Sequence, residues 1–183
     1  SLFEKLSAFS NIRFIADTQG KGPYYAWNVG IMNSSAEFVT TWNIDDTRYS
    51  LNNKIKYDAL LSNTRVDLIY NYYDSISHNQ QLNAPIEYPD NFHDKVLTCC
   101  MAGPDPMWRK TSHLFYGFFD YDKFSIIGDW DMWIRMAMNG LIMKLIPMTL
   151  CTYTDHANTV SSNNKLLEEQ KTQLYQYYTK IPI

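Results

Sequence analysis

Phe38-Val39-Thr40-Thr41-Trp42-Asn43-Ile44-Asp45-Asp46 is an apolar run that stops on two acids. Residues 38–44 suit a buried strand, and the adjacent carboxylates fall at its carboxyl end. In open α/β sheets, ligands bind beyond the carboxyl ends of the strands. Two carboxylates at such a point suit a hard divalent cation, Mg2+ or Mn2+. The cation would bridge diphosphate oxygens and offset charge on a leaving group. The same residues also suit a solvated Asx turn capping the helix that follows.

Upstream of this run, residues 24–34 have helical character and end at Asn33-Ser34-Ser35. Before them lie the polar loop Asp17–Pro23, a predicted buried strand over residues 12–16, and a short helix within Ser1–Ser10. Downstream, Leu51, Ile55, Ala59 and Leu60 define an amphipathic helix, and residues 66–77 a strand or hairpin arm. His78–Asp94 reads as a long loop, and long loops in compact domains often carry function. A short strand is expected over 96–101, a turn at Gly103-Pro104-Asp105-Pro106, an extended stretch over 107–110 and a helical turn over 111–116. A helix over 129–139 follows, with Gly140 placed to end it, then strands over 141–146 and 150–153. Residues 163–180 close as a polar helix with Leu166, Leu167, Leu174 and Tyr178 turned inward. Strands alternate with helices through the first half, which predicts an α/β fold with a mainly parallel sheet flanked by helices.

The 183 residues suffice for one domain with a real core, and a hydrophobic fraction of 45% predicts a folded chain. The formal net charge of -3, without a basic tract, speaks against a nucleic-acid partner. Three cysteines, Cys99 and Cys100 adjacent, make no disulfide framework and fit a reducing, cytoplasmic setting. No run is long enough to span a bilayer, and the first ten residues do not look like a signal peptide. Peripheral attachment at a membrane surface is compatible with all of this.

Gly128-Asp129-Trp130-Asp131-Met132-Trp133-Ile134-Arg135 opens the predicted helix. Helix dipole and free amides at its start favour an ionised Asp129, while desolvation by the neighbouring rings favours the neutral acid. A carboxylate there can take a proton from an attacking hydroxyl. It can equally be an N-cap above a packed aromatic face. Trp108 suits either a sugar-stacking platform or the core. Arg109 and Lys110 suit phosphate contacts or solvated surface, and Lys21 can approach a diphosphate. His156 suits a metal or phosphate ligand, or a structural histidine.

Taken together, these segments resemble family 2 glycosyltransferases of GT-A fold, from about Asn11 to about Ser162. Ala26-Trp27-Asn28-Val29-Gly30-Ile31 followed by Ala36-Glu37-Phe38 resembles that family's helix and link to its metal strand. Asn43-Ile44-Asp45-Asp46 falls where the family carries an Asp-x-Asp-type motif. Gly103–Arg109 resembles the stretch facing the acceptor, Gly117-Phe118-Phe119-Asp120 with Asp129–Arg135 the stretch holding the base, and Tyr153, His156 and Ser161 a C-terminal pattern. The resemblance implies an inverting transfer from a nucleoside-diphosphate sugar, a UDP-sugar first, to a saccharide or other hydroxyl. It implies Asp129 as general base, Asp45 and Asp46 as metal ligands with His156 in support, and Asp45, Asn28 and Lys21 against the donor. It implies Trp108, Arg109, Trp130 and Asp131 toward the acceptor.

Three departures qualify the match. Asn43 replaces an acid of the metal motif, Gly128 replaces a Glu before the base, and nothing before Asn11 matches the family's opening strand–helix–strand. An N-terminally truncated single domain over 1–183 is therefore expected. In it, 11–46 is the rest of the donor and metal half, 47–162 the acceptor and base half, and 163–183 the C-terminal helix. An unpaired sheet edge would then favour a homodimer. Two other classes stay open: a non-catalytic carbohydrate- or nucleotide-binding remnant of such a domain, and a nucleotidyltransferase on the same sheet.

Overall fold

The computed structural model describes residues 6, 9–16, 18–76, 95–155 and 163–180. Along the chain lie α1 (Pro23–Asn33), β1 (Phe38–Thr40), β2 (Thr47–Arg48), α2 (Asn52–Ser62) and β3 (Leu68–Ile76). Then come β4 (Met107–Arg109), α3 (Ser112–Tyr116), α4 (Gly128–Met138), β5 (Met143–Thr154) and α5 (Asn164–Thr179). The strands form one sheet of order β1-β4-β3-β5-β2. Its β3–β5 pair is parallel and carries nine residue pairs, whereas the antiparallel pairings β1–β4, β2–β5 and β3–β4 carry three, two and two. The sheet is thus mixed, parallel in its long central pair and antiparallel toward its edges. With its flanking helices it is GT-A-like.

β3 explains the two layers. A strand sends successive side chains to opposite faces, and here Leu68 and Tyr70 enter one apolar cluster while Ile69 enters another. The larger cluster takes Met132, Trp133 and Met136 of α4 together with Trp108; the smaller holds Leu60, Val66 and Met107. Trp108 and Trp133 are 0% and 1% exposed, and burying a large apolar side chain is worth about 1.5–3 kcal/mol.

Several expected elements changed. Residues 12–16 form no strand, and Ile12, Phe14 and Ile15 are exposed. β1 is bonded along one edge, to β4, and among the described residues no strand, 12–16 included, pairs with its other edge. Residues 96–101 make a turn: the N–H groups of Thr98 and Cys99 both donate to the carbonyl of Lys95, and Val96 and Met101 anchor it in the core. The two strands expected over 141–146 and 150–153 are one, β5. Pro147 sits within it where the register against β3 shifts from Asn71↔Ile146 to Tyr72↔Thr149; a proline has no N–H for a ladder and is tolerated at such a bulge. In α2 the buried residues are Asn52, Lys56 and Leu60, and Leu51 and Leu61 face solvent. In α5 Gln170 joins Leu174 and Tyr178 inside, where it bonds the Ile126 N–H and the Ser125 hydroxyl. The expected long loop lies outside the described residues, as does most of the expected opening helix.

Candidate active site

The acidic turn is tied to the carboxyl end of the parallel pair. Asp46 Oδ1 accepts from the Thr154 N–H at 2.9 Å, and Oδ2 from the Asn43 amide at 3.0 Å. Thr154 is the last residue of β5 and is paired with Ile76, the last of β3. The turn closes through the Asp46 N–H donating to the Asn43 carbonyl, and the Trp42 indole N–H donates to the Asp46 carbonyl at 3.1 Å. Asp46 is buried while Asp45 is exposed. Burial pushes the Asp46 carboxyl up, with smaller upward contributions from Asp45 and Asp105, against the pull of the Thr154 N–H and the Asn43 amide. Asn43, standing where an acid was expected, orients one instead.

Beneath the turn lies a charged cluster. Arg48 Nε donates to Asp105 Oδ1 at 2.6 Å, and its Nη2 donates to Thr40 Oγ1 at 2.7 Å and to the Thr41 carbonyl. The guanidinium also lies under the Trp42 ring, 5.3 Å from its centroid. Lys56, fully buried, bonds the Asp105 carboxylate and carbonyl, and Asn52 Nδ2 reaches Asp105 Oδ2 and the Leu150 carbonyl, each at 2.6 Å. Burial brings the Lys56 ammonium down to about 8 although Asp105 opposes this. The Gly103–Pro106 loop is thereby clamped to the segment carrying Asp45 and Asp46.

Asp129 opens α4, partly buried. Its Oδ1 accepts from the Tyr24 hydroxyl at 2.7 Å, and the Cys100 thiol approaches Oδ2 at 3.7 Å. Burial raises its pKa, and the Tyr24 hydroxyl and the backbone amides of Trp130 and Asp129 pull the other way without prevailing. The competition visible in the sequence is decided for desolvation. Burial, then the adjacent carboxylate, holds both Tyr24 and Cys100 well above their usual ranges, so both stay protonated donors. Gly128 has a steric role here: a Cβ on it would lie 2.9 Å from a Tyr24 ring carbon. One segment joins the two acidic places, with Cys100 at Asp129 and Asp105 on Arg48. Five residues of chain reach at most about 18 Å between their Cα atoms.

Most residues expected to meet the acceptor are structural. Trp108 is fully buried and its indole N–H donates to His113 Nε2, so it offers no face to a sugar. Arg109 bonds the carbonyls of Val66, Leu60 and Asn63 and the Glu37 carboxylate. Trp130 is buried with its N–H on the Val96 carbonyl. Asp131 is 3% exposed and engaged by Tyr178 and Arg135. On the donor side, both ends of the buried Asn28 amide bond the Phe119 backbone. Lys21 lies over the rings of Tyr25 and Tyr121, and Lys110 bonds the Ser34 carbonyl. His156 and Ser161 lie outside the described residues. An open hollow of about 390 Å³ borders Asn28, Phe118, Lys123, Asp131, Arg135 and Tyr178, and not Asp45, Asp46 or Asp129. Tyr24, Arg48 and Lys56 were not singled out from the sequence, where only the closeness of Arg48 to Asp46 hinted at one of them, and Asp105 was quoted within Gly103–Arg109 without a role of its own.

Among the described residues no group of three or more His, Cys, Asp or Glu gathers to hold a metal. The turn offers a pair: exposed Asp45, and Asp46, whose oxygens each carry one hydrogen bond and keep lone-pair capacity. Mg2+ commonly binds through one or two carboxylates plus substrate phosphates. The pair fits a cation shared with a diphosphate and does not fit a cation held by protein alone.

No protein-family profile matches the sequence, and no curated protein sequence matches it. The structure is similar to that of S. aureus TarS 1–349, with a TM-score of 0.70 and 13% identity, covering 100% of this chain and 52% of that one. It is similar to S. aureus TarS 1–349 in complex with UDP, with a TM-score of 0.65 and 14% identity over 97% of this chain and 56% of that one. A further TarS structure gives 0.70 and 14%, with 100% and 32% covered. The chain thus spans about half the length of the TarS 1–349 structures it matches. At such identities the likeness is one of fold, and that fold is GT-A-like.

Proposed function

We propose that this chain is a glycosyltransferase-type domain that moves a sugar from a nucleoside-diphosphate sugar, a UDP-sugar first, to a hydroxyl acceptor with inversion. The observation that carries the reading is the Asp46–Thr154 bond, because it holds adjacent carboxylates at the carboxyl ends of the parallel strands, where open α/β sheets bind ligands. The likeness to a TarS structure that contains UDP supports the choice of nucleotide.

Asp45 and Asp46 would hold Mg2+ or Mn2+ together with the donor diphosphate, and the cation would offset charge on the departing diphosphate. Asp129 takes the proton of the acceptor hydroxyl as its oxygen attacks the anomeric carbon and the bond to the diphosphate breaks. Its raised pKa brings the base closer to working pH, which strengthens general-base help. The acceptor is a saccharide or another hydroxyl compound. No helix among the described residues is long and apolar enough to cross a membrane. A cytoplasmic or membrane-surface location, and a homodimer, belong to the same proposal.

The second reading is a non-catalytic carbohydrate- or nucleotide-binding domain, which the lack of a three-ligand metal group among the described residues favours. Titration with UDP and Mn2+ separates binding from its absence. At a ligand concentration about 100 times Kd, stabilisation is about 2.7 kcal/mol, and EDTA should abolish it. Release of UDP from UDP-hexoses then separates enzyme from binder. A melting point unmoved by UDP with Mn2+ removes the transferase reading and the nucleotide-binding form of the second, leaving a carbohydrate binder.

A further inference from the structure

We propose that Tyr24 is a positioning residue for Asp129, its single phenolic proton moving between Asp129 Oδ1 and the Ile126 carbonyl so that the carboxyl group stays bonded whether ionised or protonated. The inference rests on Asp129 being the base. The Tyr24 oxygen lies 2.7 Å from Asp129 Oδ1 and 2.6 Å from the Ile126 carbonyl oxygen. A phenol has one proton, so it can donate to only one of these acceptors fully at a time. Turned to Asp129, it stabilises the carboxylate that is ready to accept a proton. Once Asp129 has taken the proton of the acceptor hydroxyl, held on Oδ1, the phenol O–H turns to Ile126, and the phenol oxygen accepts from the new Oδ1–H. Tyr24 gains and loses no proton over the cycle; the proton on Asp129 leaves to water afterwards.

The ring is built into place for this. It contacts Trp27 edge-on at 5.1 Å between centroids and stacks on Phe119 at 5.8 Å. On the α4 side it fills the space a side chain on Gly128 would need. The hydroxyl can therefore rotate its proton while its oxygen stays fixed. Among the described residues, the titratable side chains bonded to Asp129 are Tyr24 from α1 and Cys100 from the 95–101 turn, and both remain protonated. On α4 itself, the Asp131 carboxylate is engaged by Tyr178 and Arg135.

The test is a carbon-13 NMR titration of the full chain, with the Asp129 signal assigned by its loss in Asp129→Asn. In the unaltered chain, the Asp129 carboxyl and the Ile126 carbonyl should titrate with a shared midpoint. In Tyr24→Phe, the Asp129 midpoint should rise by about one pH unit, because the bond lost from the carboxylate is roughly twice as strong as the one lost from the neutral acid. The Ile126 response should disappear. Gly128→Ala, which displaces the ring while keeping the phenol, should raise the midpoint as well. An Ile126 carbonyl that stays flat through the Asp129 midpoint overturns the proposal, and so does an unmoved midpoint in either variant. If Tyr24→Phe does not fold, the Ile126 response and Gly128→Ala decide. UDP release by Asp129→Asn tests the base assignment separately, since the titration needs no turnover.

Discussion

Asp46 Oδ1 and the backbone N–H of Thr154 are 2.9 Å apart across 108 residues of sequence. An amide at the end of β5 therefore aims the carboxylate, and the turn cannot shift without the sheet. Asp46→Asn keeps an oxygen that can accept from Thr154 but removes the charge. Its fold and melting point without ligand should stay close to those of the unaltered chain. Stabilisation by UDP with Mn2+ should be lost, as thermal denaturation with and without ligand would read. Asp46→Ala should cost a further 1–3 kcal/mol or so, because the Thr154 N–H and the Asn43 amide lose a shared partner. Full ligand response in Asp46→Asn would place the nucleotide away from the turn.

Asp129→Asn should separate activity from stability. Turnover should fall by roughly 10²–10⁴ with little change in donor binding, as for loss of a general base. Stability should move the other way. Asp129 holds its proton to higher pH in the folded chain than in the unfolded one. Above the unfolded pKa the folded state binds more protons, so stability declines as pH rises toward the folded pKa, and that loss is present at neutrality. Asn has nothing to ionise. The variant should melt higher near pH 7, with the advantage shrinking on acidification. A variant less stable at neutral pH would mean that the ionised carboxylate is a net stabilising contact.

Lys56 has its own pH signature. Its folded pKa is about 8 against a usual 10.5. Within that window the unfolded chain holds the proton and the folded chain releases it, so the Lys56 contribution to stability should rise with pH across it, opposite in sign to that of the Cys100 and Cys151 thiols, whose pKa values are raised by burial. Lys56→Met should lack this rise. At neutral pH it should be destabilised by about 3 kcal/mol, since Asp105 loses a buried partner and keeps Arg48 and Asn52. Denaturant titrations at several pH values would test both statements. A stability difference between the unaltered chain and Lys56→Met that stays level from about pH 8 to 10 would show that Asp105 keeps Lys56 charged.

The elements that carried apolar periodicity were legible: α1, α2, β3, α4 and α5 lie where the sequence predicted them, within a few residues, whereas β1 stops at Thr40, four residues short of the end of the predicted buried strand, with Trp42 and Ile44 exposed. The run over 12–16 misled because an apolar run specifies neither burial nor a partner strand: Ile12, Phe14 and Ile15 are exposed. The run over 96–101 misled because its apolar residues anchor a turn. α2 misled by its inward face, where Asn52 and Lys56 are buried through pairing with Asp105, a contact made across about 50 residues that no local pattern announces. The two acidic places were legible because acids after an apolar run or at a helix start stand out. The acceptor-facing residues were not, since Trp108 reads alike as core and as platform until its exposure is known. Gly128 was seen as a missing side chain; that the Tyr24 ring fills its place is visible only in three dimensions.

Trp42 gives the acidic turn a reporter. It is 59% exposed, whereas Trp108, Trp130 and Trp133 are buried. Its indole N–H is fixed on the Asp46 carbonyl and one ring face rests over Arg48. A nucleotide or sugar held at Asp45 and Asp46 would meet this ring. UDP with Mn2+ should therefore quench or blue-shift the exposed component of tryptophan emission and protect it from iodide. Trp42→Phe should remove that response while keeping a ring over Arg48. Trp42→Ala should weaken UDP binding by about tenfold, the lower range for loss of one aromatic stack. The two losses separate reporter from contact: a response that persists in Trp42→Phe places the ligand elsewhere, and unchanged affinity in Trp42→Ala limits Trp42 to bracing the turn.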